Sequence, residues 1–205
     1  IESAVNELHN SRTRDDITKA VEGIILQSRR HNPHIDIVAQ YLYDMPYVES
    51  YRKGITPWQI AALDRISLQY GINAMDQARQ VTTWFDTGEI PQQKFGGCHP
   101  KPVGHKAYGE MIDRLFDHAW NEPVAQSLIP HLGSRRYDMC SYDRGHFQSI
   151  KTAKIKHGWK VVKNWQGTGK GRVRKHDVGI DYMEALTPGA DLAVEFSGTA
   201  VGLPM

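Results

Sequence analysis

Apolar positions in the first 120 residues fall into alternating strand-like and helix-like runs. Residues 1–5 read as a short apolar strand that breaks at Asn6-Glu7. Ile17, Ala20, Val21, Ile24 and Ile25 then recur at helical spacing up to Arg30, with Thr13 and Asp16 in a capping-box relation. His31-Asn32-Pro33-His34 is a stop signal, and Ile35 to Tyr43 is β-branched and aromatic, as a buried strand requires. Asp44 to Gly54 reads as a loop. Thr56-Pro57-x-Gln59 combines an N-cap, a first-turn proline and a capping-box glutamine, which predicts a helix to Tyr70 with Gly71 just past its end. A short strand at Ile72–Met75 and a mixed stretch containing Val81, Trp84 and Phe85 follow. Tyr108, Met111, Ile112, Leu115, Phe116 and Ala119 then form one face of an amphipathic helix.

This strand–helix alternation predicts an α/β fold with a parallel sheet and helices on its faces. In open sheets of that kind, sites form at the carboxyl ends of the strands. From about Ser134 the texture changes. Gly-rich turns separate β-type runs at Gly158–Trp165, Gly179–Met183, Asp191–Phe196 and Thr199–Leu203, without helical period. The expectation is two domains, 1–132 and 133–205, the second a partial β-sandwich or jelly roll with exposed edges.

Composition narrows the class without naming it. The 205 residues carry ordinary apolar and charged fractions for a globular chain, 40% and 23%. No stretch approaches the roughly 18 apolar residues of a membrane span, and Ile1-Glu2-Ser3-Ala4-Val5-Asn6-Glu7 has neither part of a signal peptide. Two cysteines, Cys98 and Cys140, permit one disulfide or none. They settle no compartment, although a secreted or periplasmic one is favoured. Charge is segregated: nine Lys/Arg and no acid lie between Lys151 and Lys175, and five acids and no base follow.

The candidate chemistry centres on Phe95-Gly96-Gly97-Cys98-His99-Pro100-Lys101-Pro102-Val103-Gly104-His105, which leads directly into the last amphipathic helix. Proline holds the residue before it extended, so His99 stands on a short, stiff loop, as a general base would. His-Pro-x3-Gly-His at the head of a helix resembles the last motif block of the SGNH (GDSL-like) hydrolases, which are esterases and deacetylases. Ala4-Val5-Asn6-Glu7 resembles their Gly-x-Asn-Asp run. The resemblance covers residues 1 to about 120. It implies a three-layer, flavodoxin-like SGNH sandwich, here incomplete, with His99 as the general base and Asn6 as an oxyanion donor at the end of the first strand. It implies an acylated carbohydrate or other small ester as substrate, and no cofactor.

Two features depart from the family pattern. No Gly-Asp-Ser run, which carries the family's nucleophile, occurs in the chain, and Gly96 stands where the family places its triad aspartate. The expectation is therefore the later part of a longer hydrolase, with Asp86, Glu89 or a backbone carbonyl orienting His99. Cys98 and His99 are adjacent on an extended loop and point to opposite faces, so they are not expected to pair. His99, His105 and Cys98 match no standard zinc spacing, so no metal is expected. Trp159 and Trp165, set among lysines, are the candidate substrate-binding aromatics, since an attached β-sandwich in carbohydrate esterases often contacts substrate. A different class of function is an inactive SGNH-derived scaffold holding an anionic polymer, an acidic glycan or nucleic acid, on the basic 151–175 segment.

Overall fold

A computed structural model describes residues 1–123, 130–131, 135–167, 173–185, 187–199 and 201–202. Its contacts divide the chain into two compact units, Ile1–Gly145 and His146–Met205. The first unit mixes helices with a small parallel sheet, in which β1 (Val38–Gln40) pairs with β2 (Asn73–Met75), Ala39 opposite Ala74. On the other side of β1, Glu2 makes a parallel bridge to Gln40, and the Gln40 amide donates to the Ile1 carbonyl at 2.8 Å. Three stretches of chain thus run side by side in one direction.

The opening residues form less strand than expected. Pairing stops at Glu2, and α1 (Ala4–His9) begins immediately. Ala4 and Leu8 lie one turn apart and pack into the core, a helical spacing too brief to read from five residues. α2 (Arg14–His31) follows the expectation, with Thr13 and Asp16 making both hydrogen bonds of the capping box. The expected loop after β1 is instead a helix, α3 (Met45–Arg52). Asp44 caps it, Pro46 occupies its first turn, and Tyr47 and Val48 are buried.

α4 (Trp58–Tyr70) starts after Pro57 with no side-chain cap, and Gly71 ends it in the left-handed conformation. The expected capping box is absent because the helix begins one residue later, with Pro57 rather than Thr56 at the N-cap, and Gln59 is buried. The mixed stretch is α5 (Gln77–Thr87), whose Ala78, Val81 and Trp84 are buried. A short α6 (Gln92–Phe95) and the long α7 (Pro102–Asn121) complete the order. Only the first half of α7's apolar face is covered, since Tyr108 is buried while Phe116 and Trp120 stack on each other in the open.

The expected boundary at 132/133 falls outside the described residues. Residues 135–145 belong to the first unit because two buried carboxylates hold them there. Glu22, wholly buried on α2, accepts hydrogen bonds from the Tyr70 hydroxyl and from the Tyr137 and Asp138 amides. Asp143 accepts from both Arg136 terminal nitrogens at 2.7 Å and from Arg30 at 2.6 Å. Buried carboxylates without such partners would be costly, so the segment and helix α2 need each other.

The second unit is built of two antiparallel pairs: β3 (Lys154–His157) with β6 (Asp191–Ala193), and β4 (Trp159–Val162) with β5 (Tyr182–Ala185). None of its described residues is buried. The described strands stay in these two-stranded pairs, and the expected strand at Thr199–Leu203 lies partly outside the described residues. The chain as a whole is a mixed helix-and-strand protein with small sheets. No described helix is long and apolar enough to cross a membrane.

The Arg136 and Arg30 guanidiniums hold the Asp143 carboxyl at about 2, below its ordinary value of 3.8. A carboxylate depressed on folding stabilises the fold fully above its unfolded value and loses that contribution as pH falls through the folded one. Asp143→Asn should therefore lower the unfolding free energy by about 2 kcal/mol at neutral pH, from loss of charged hydrogen bonds. The gap between the two proteins should close between about pH 4 and about pH 2, read by urea unfolding across that range.

Candidate active site

The loop that carries His99 is anchored at both ends. Phe95 closes α6 and is completely buried, edge-to-face with Tyr43, Phe85 and Tyr108 at 5.2, 5.6 and 5.3 Å between ring centres. Its carbonyl accepts from the Lys101 amide at 2.7 Å, and Gly96 forms an isolated bridge with Pro100. The Tyr43 hydroxyl donates to the Gly96 carbonyl at 2.6 Å, while the Tyr43 amide donates to the Tyr108 hydroxyl at 3.0 Å. Burial pushes both phenols' pKa upward, so both stay protonated, Tyr43 donating and Tyr108 accepting.

Two glycines permit this shape. At Gly104, a Cβ would lie 2.7 Å from both the Phe95 carbonyl and the Pro100 side chain, so α7 can pack this closely only with glycine. Gly96 has φ +103°, and a Cβ there would lie 2.8 Å from the Lys101 amide. The aspartate that SGNH hydrolases place at this position does not fit this backbone.

His99 stands exposed on the loop, and among the described residues its ring has no hydrogen-bond partner. Neither acid suggested by the sequence orients it. Asp86 is taken by Arg52, whose Nε and Nη2 lie 2.8 and 2.7 Å away, and Glu89 is exposed. Asn6 does not stand at a strand end. It is the third residue of α1, on its exposed side, because the strand pairing has already stopped at Glu2.

The fold nevertheless brings the two segments to one place. His9, the last residue of α1, has its Nε2 2.5 Å from Oδ2 of Asp44, the residue that caps α3. Cys98, next to His99, has its sulfur within 4.8 Å of a ring nitrogen of His9 and a carboxylate oxygen of Asp44. The helix bearing Asn6, the segment leaving β1 and the His99 loop therefore converge beyond the carboxyl ends of parallel strands. Sequence reasoning missed His9 and Asp44. Asp44 could have been found from Asp-x-Pro, a cap followed by a first-turn proline; His9 carries no local signal. Cys98 and Cys140 are both free thiols.

In the second unit, Trp165 packs against Tyr182 with ring centres 4.8 Å apart and exchanges backbone hydrogen bonds with Ile180 and Gly179. Trp159 lies in β4 opposite Ala185 and is half-buried. The segregated charges meet across the ladders. Lys154 faces Glu195, Lys156 faces Asp191, Lys160 faces Glu184 and Lys163 faces Asp181. Exposed pairs of this kind add little stability, but they cancel much of the local positive field.

Tyr43→Phe should cost about 1 kcal/mol by removing one hydrogen bond, and should speed amide exchange at Lys101 more than in α2. Phe95→Ala should cost about 3–4 kcal/mol, as expected for a buried aromatic truncated in a packed cluster. Urea unfolding and hydrogen-exchange mass spectrometry read both. Comparisons with protein-family models, with curated proteins and with solved structures gave no match for this chain.

Proposed function

We propose that the chain is part of a serine esterase that removes acetyl or another small acyl group from a glycan or related ester. His99 is the general base and Asn6 an oxyanion donor. The serine comes from outside these 205 residues, which contain no Gly-Asp-Ser run. The observation that carries this reading is the convergence of the Asn6 helix and the His99 loop at the carboxyl edge, joined through His9, Asp44 and Cys98.

In this reading the exposed imidazole takes the serine proton as the hydroxyl oxygen attacks the ester carbonyl. The Asn6 amide donates to the oxygen that becomes negative. The imidazolium then gives its proton to the leaving alcohol, and water repeats the cycle on the acyl-enzyme. With Gly96 in place of an acid, and Asp86 held by Arg52, His99 works in a dyad whose imidazolium is stabilised by solvent. The polymer-binding reading draws less support, because four lysines of the basic segment already face carboxylates.

The native polypeptide, sequenced from its source, should carry a Gly-Asp-Ser strand ahead of Ile1. In that full-length protein, His99→Ala should lower kcat on p-nitrophenyl acetate and on an acetylated glycan by about 10³-fold. Asn6→Ala should lower it by about 10²-fold. Both positions are exposed, so the melting temperature should stay put. Undiminished turnover in His99→Ala would overturn the reading.

A further inference from the structure

We propose that His9, Asp44 and Cys98 form a Zn²⁺ site with three protein ligands and one position open to water. A His9 ring nitrogen, an Asp44 carboxylate oxygen and Cys98 Sγ all lie within 4.8 Å of one another, and His9 Nε2 is 2.5 Å from Asp44 Oδ2. They come from three different elements: the end of α1, the cap of α3 and the His99 loop. The site shares with the esterase reading the convergence of these segments but none of its catalytic residues, since it uses neither His99 nor Asn6, and metal binding is read without ester turnover.

The donor set selects the metal. Thiolate and imidazole together favour zinc-class cations over the hard ions Ca²⁺ and Mg²⁺, which take oxygen ligands. Tetrahedral zinc with bonds of about 2.0–2.3 Å places its ligand atoms about 3.3–3.6 Å apart. The His9–Asp44 contact, at 2.5 Å, opens by about 1 Å to admit the ion, and the sulfur, within 4.8 Å, closes to bonding geometry. The side chains can make that adjustment. His9 is exposed, Cys98 is half-buried, and Asp44 keeps its second oxygen on the Met45 amide, so α3 stays capped.

Proton accounting is simple. A carboxylate only accepts, so the His9 Nε2 carries the proton of the contact with Asp44. On binding, that proton leaves Nε2 through solvent and is replaced by one on Nδ1, so the neutral ring presents the Nε2 lone pair to the metal. The Cys98 thiol gives its proton to solvent and binds as thiolate. Asp44 is already a carboxylate acceptor. The bound ion ties α1 and the α3 cap, already joined by the His9–Asp44 hydrogen bond, to the His99 loop.

The test uses the full chain, reduced and stripped of metal with a chelator. Co²⁺ should bind one per chain, with a near-ultraviolet thiolate-to-cobalt charge-transfer band and the visible bands of a tetrahedral ion, and Zn²⁺ should displace it. Cys140→Ser and His105→Ala should leave these spectra unchanged, and Cys98→Ser should abolish the charge-transfer band. His9→Ala and Asp44→Asn, the second retaining an acceptor for the α3 cap, should each weaken Zn²⁺ binding by at least about tenfold. Zn²⁺ should also slow iodoacetamide labelling of Cys98 by at least about tenfold, without protecting Cys140. A missing band in Cys140→Ser protein, a band that survives Cys98→Ser, or unchanged affinity in His9→Ala would each overturn the site.

Discussion

The parallel course of the chain through the first unit is the constraint from which the rest follows. The stretch ending at Glu2, then β1, then β2 lie side by side, so each must leave the sheet at the same edge. A parallel arrangement needs a long return crossover each time, which α1 with α2, and α3 with α4, provide. Side chains beyond the strand ends then meet although they are far apart in sequence. His9, Asp44 and Cys98 come together for that reason. The edge is also built to hold position. Tyr41 donates to Asp64 of α4 at 2.8 Å, Tyr43 to Gly96, and Tyr47 to the Ala4 carbonyl. Three tyrosines, at positions 41, 43 and 47, thus tie the outgoing chain to its surroundings by their far ends, while their rings fill the core.

Sequence legibility followed the strength of local signals. α2 could be read because its capping box and its apolar period agree. β2 could be read from its short apolar run, whereas β1 is only the centre of its predicted span: after Gln40 the Tyr41 amide makes one last bond to Met75, and the Tyr43 amide turns to the Tyr108 hydroxyl. α3 and α5 were hidden for different reasons. In α3, proline beside aspartate suggests a loop as readily as a capped helix. In α5, Val81, Trp84 and Phe85 have helical spacing, but Thr82, Thr83 and Thr87 dilute it; Thr82, Thr83 and Thr87 return their hydroxyls to carbonyls one turn back. The stiffness of the His99 loop was legible from His-Pro. Its anchoring by Phe95 was not, because a buried aromatic in a four-residue helix leaves no period to detect.

Charge told a partial story. Read along the chain, the segregation of bases before Lys175 and acids after it suggests a surface waiting for an anionic partner. Folding β3 against β6 and β4 against β5 brings the two blocks together, so four of the nine bases find carboxylates within the chain itself. A block of like charge is thus weak evidence of a binding surface until strand pairing is known. The carboxylates of the first unit behave differently. Glu22 and Asp143 are buried, each with several donors, and they determine which unit the 135–145 segment joins.

The His99 loop separates the residues that set its shape from those that carry its chemistry. Phe95, Gly96 and Gly104 fix the path of the backbone, by burial, by a left-handed φ and by close approach. Gly97 faces open space, His99 is exposed, and Cys98 lies half-buried beside His9 and Asp44. Substitution at the tip therefore leaves the frame intact, whereas substitution in the frame displaces everything on the tip. Such a loop is evolvable in a specific sense: a lineage can exchange one reactive group for another at Cys98 or His99 without refolding anything beneath them.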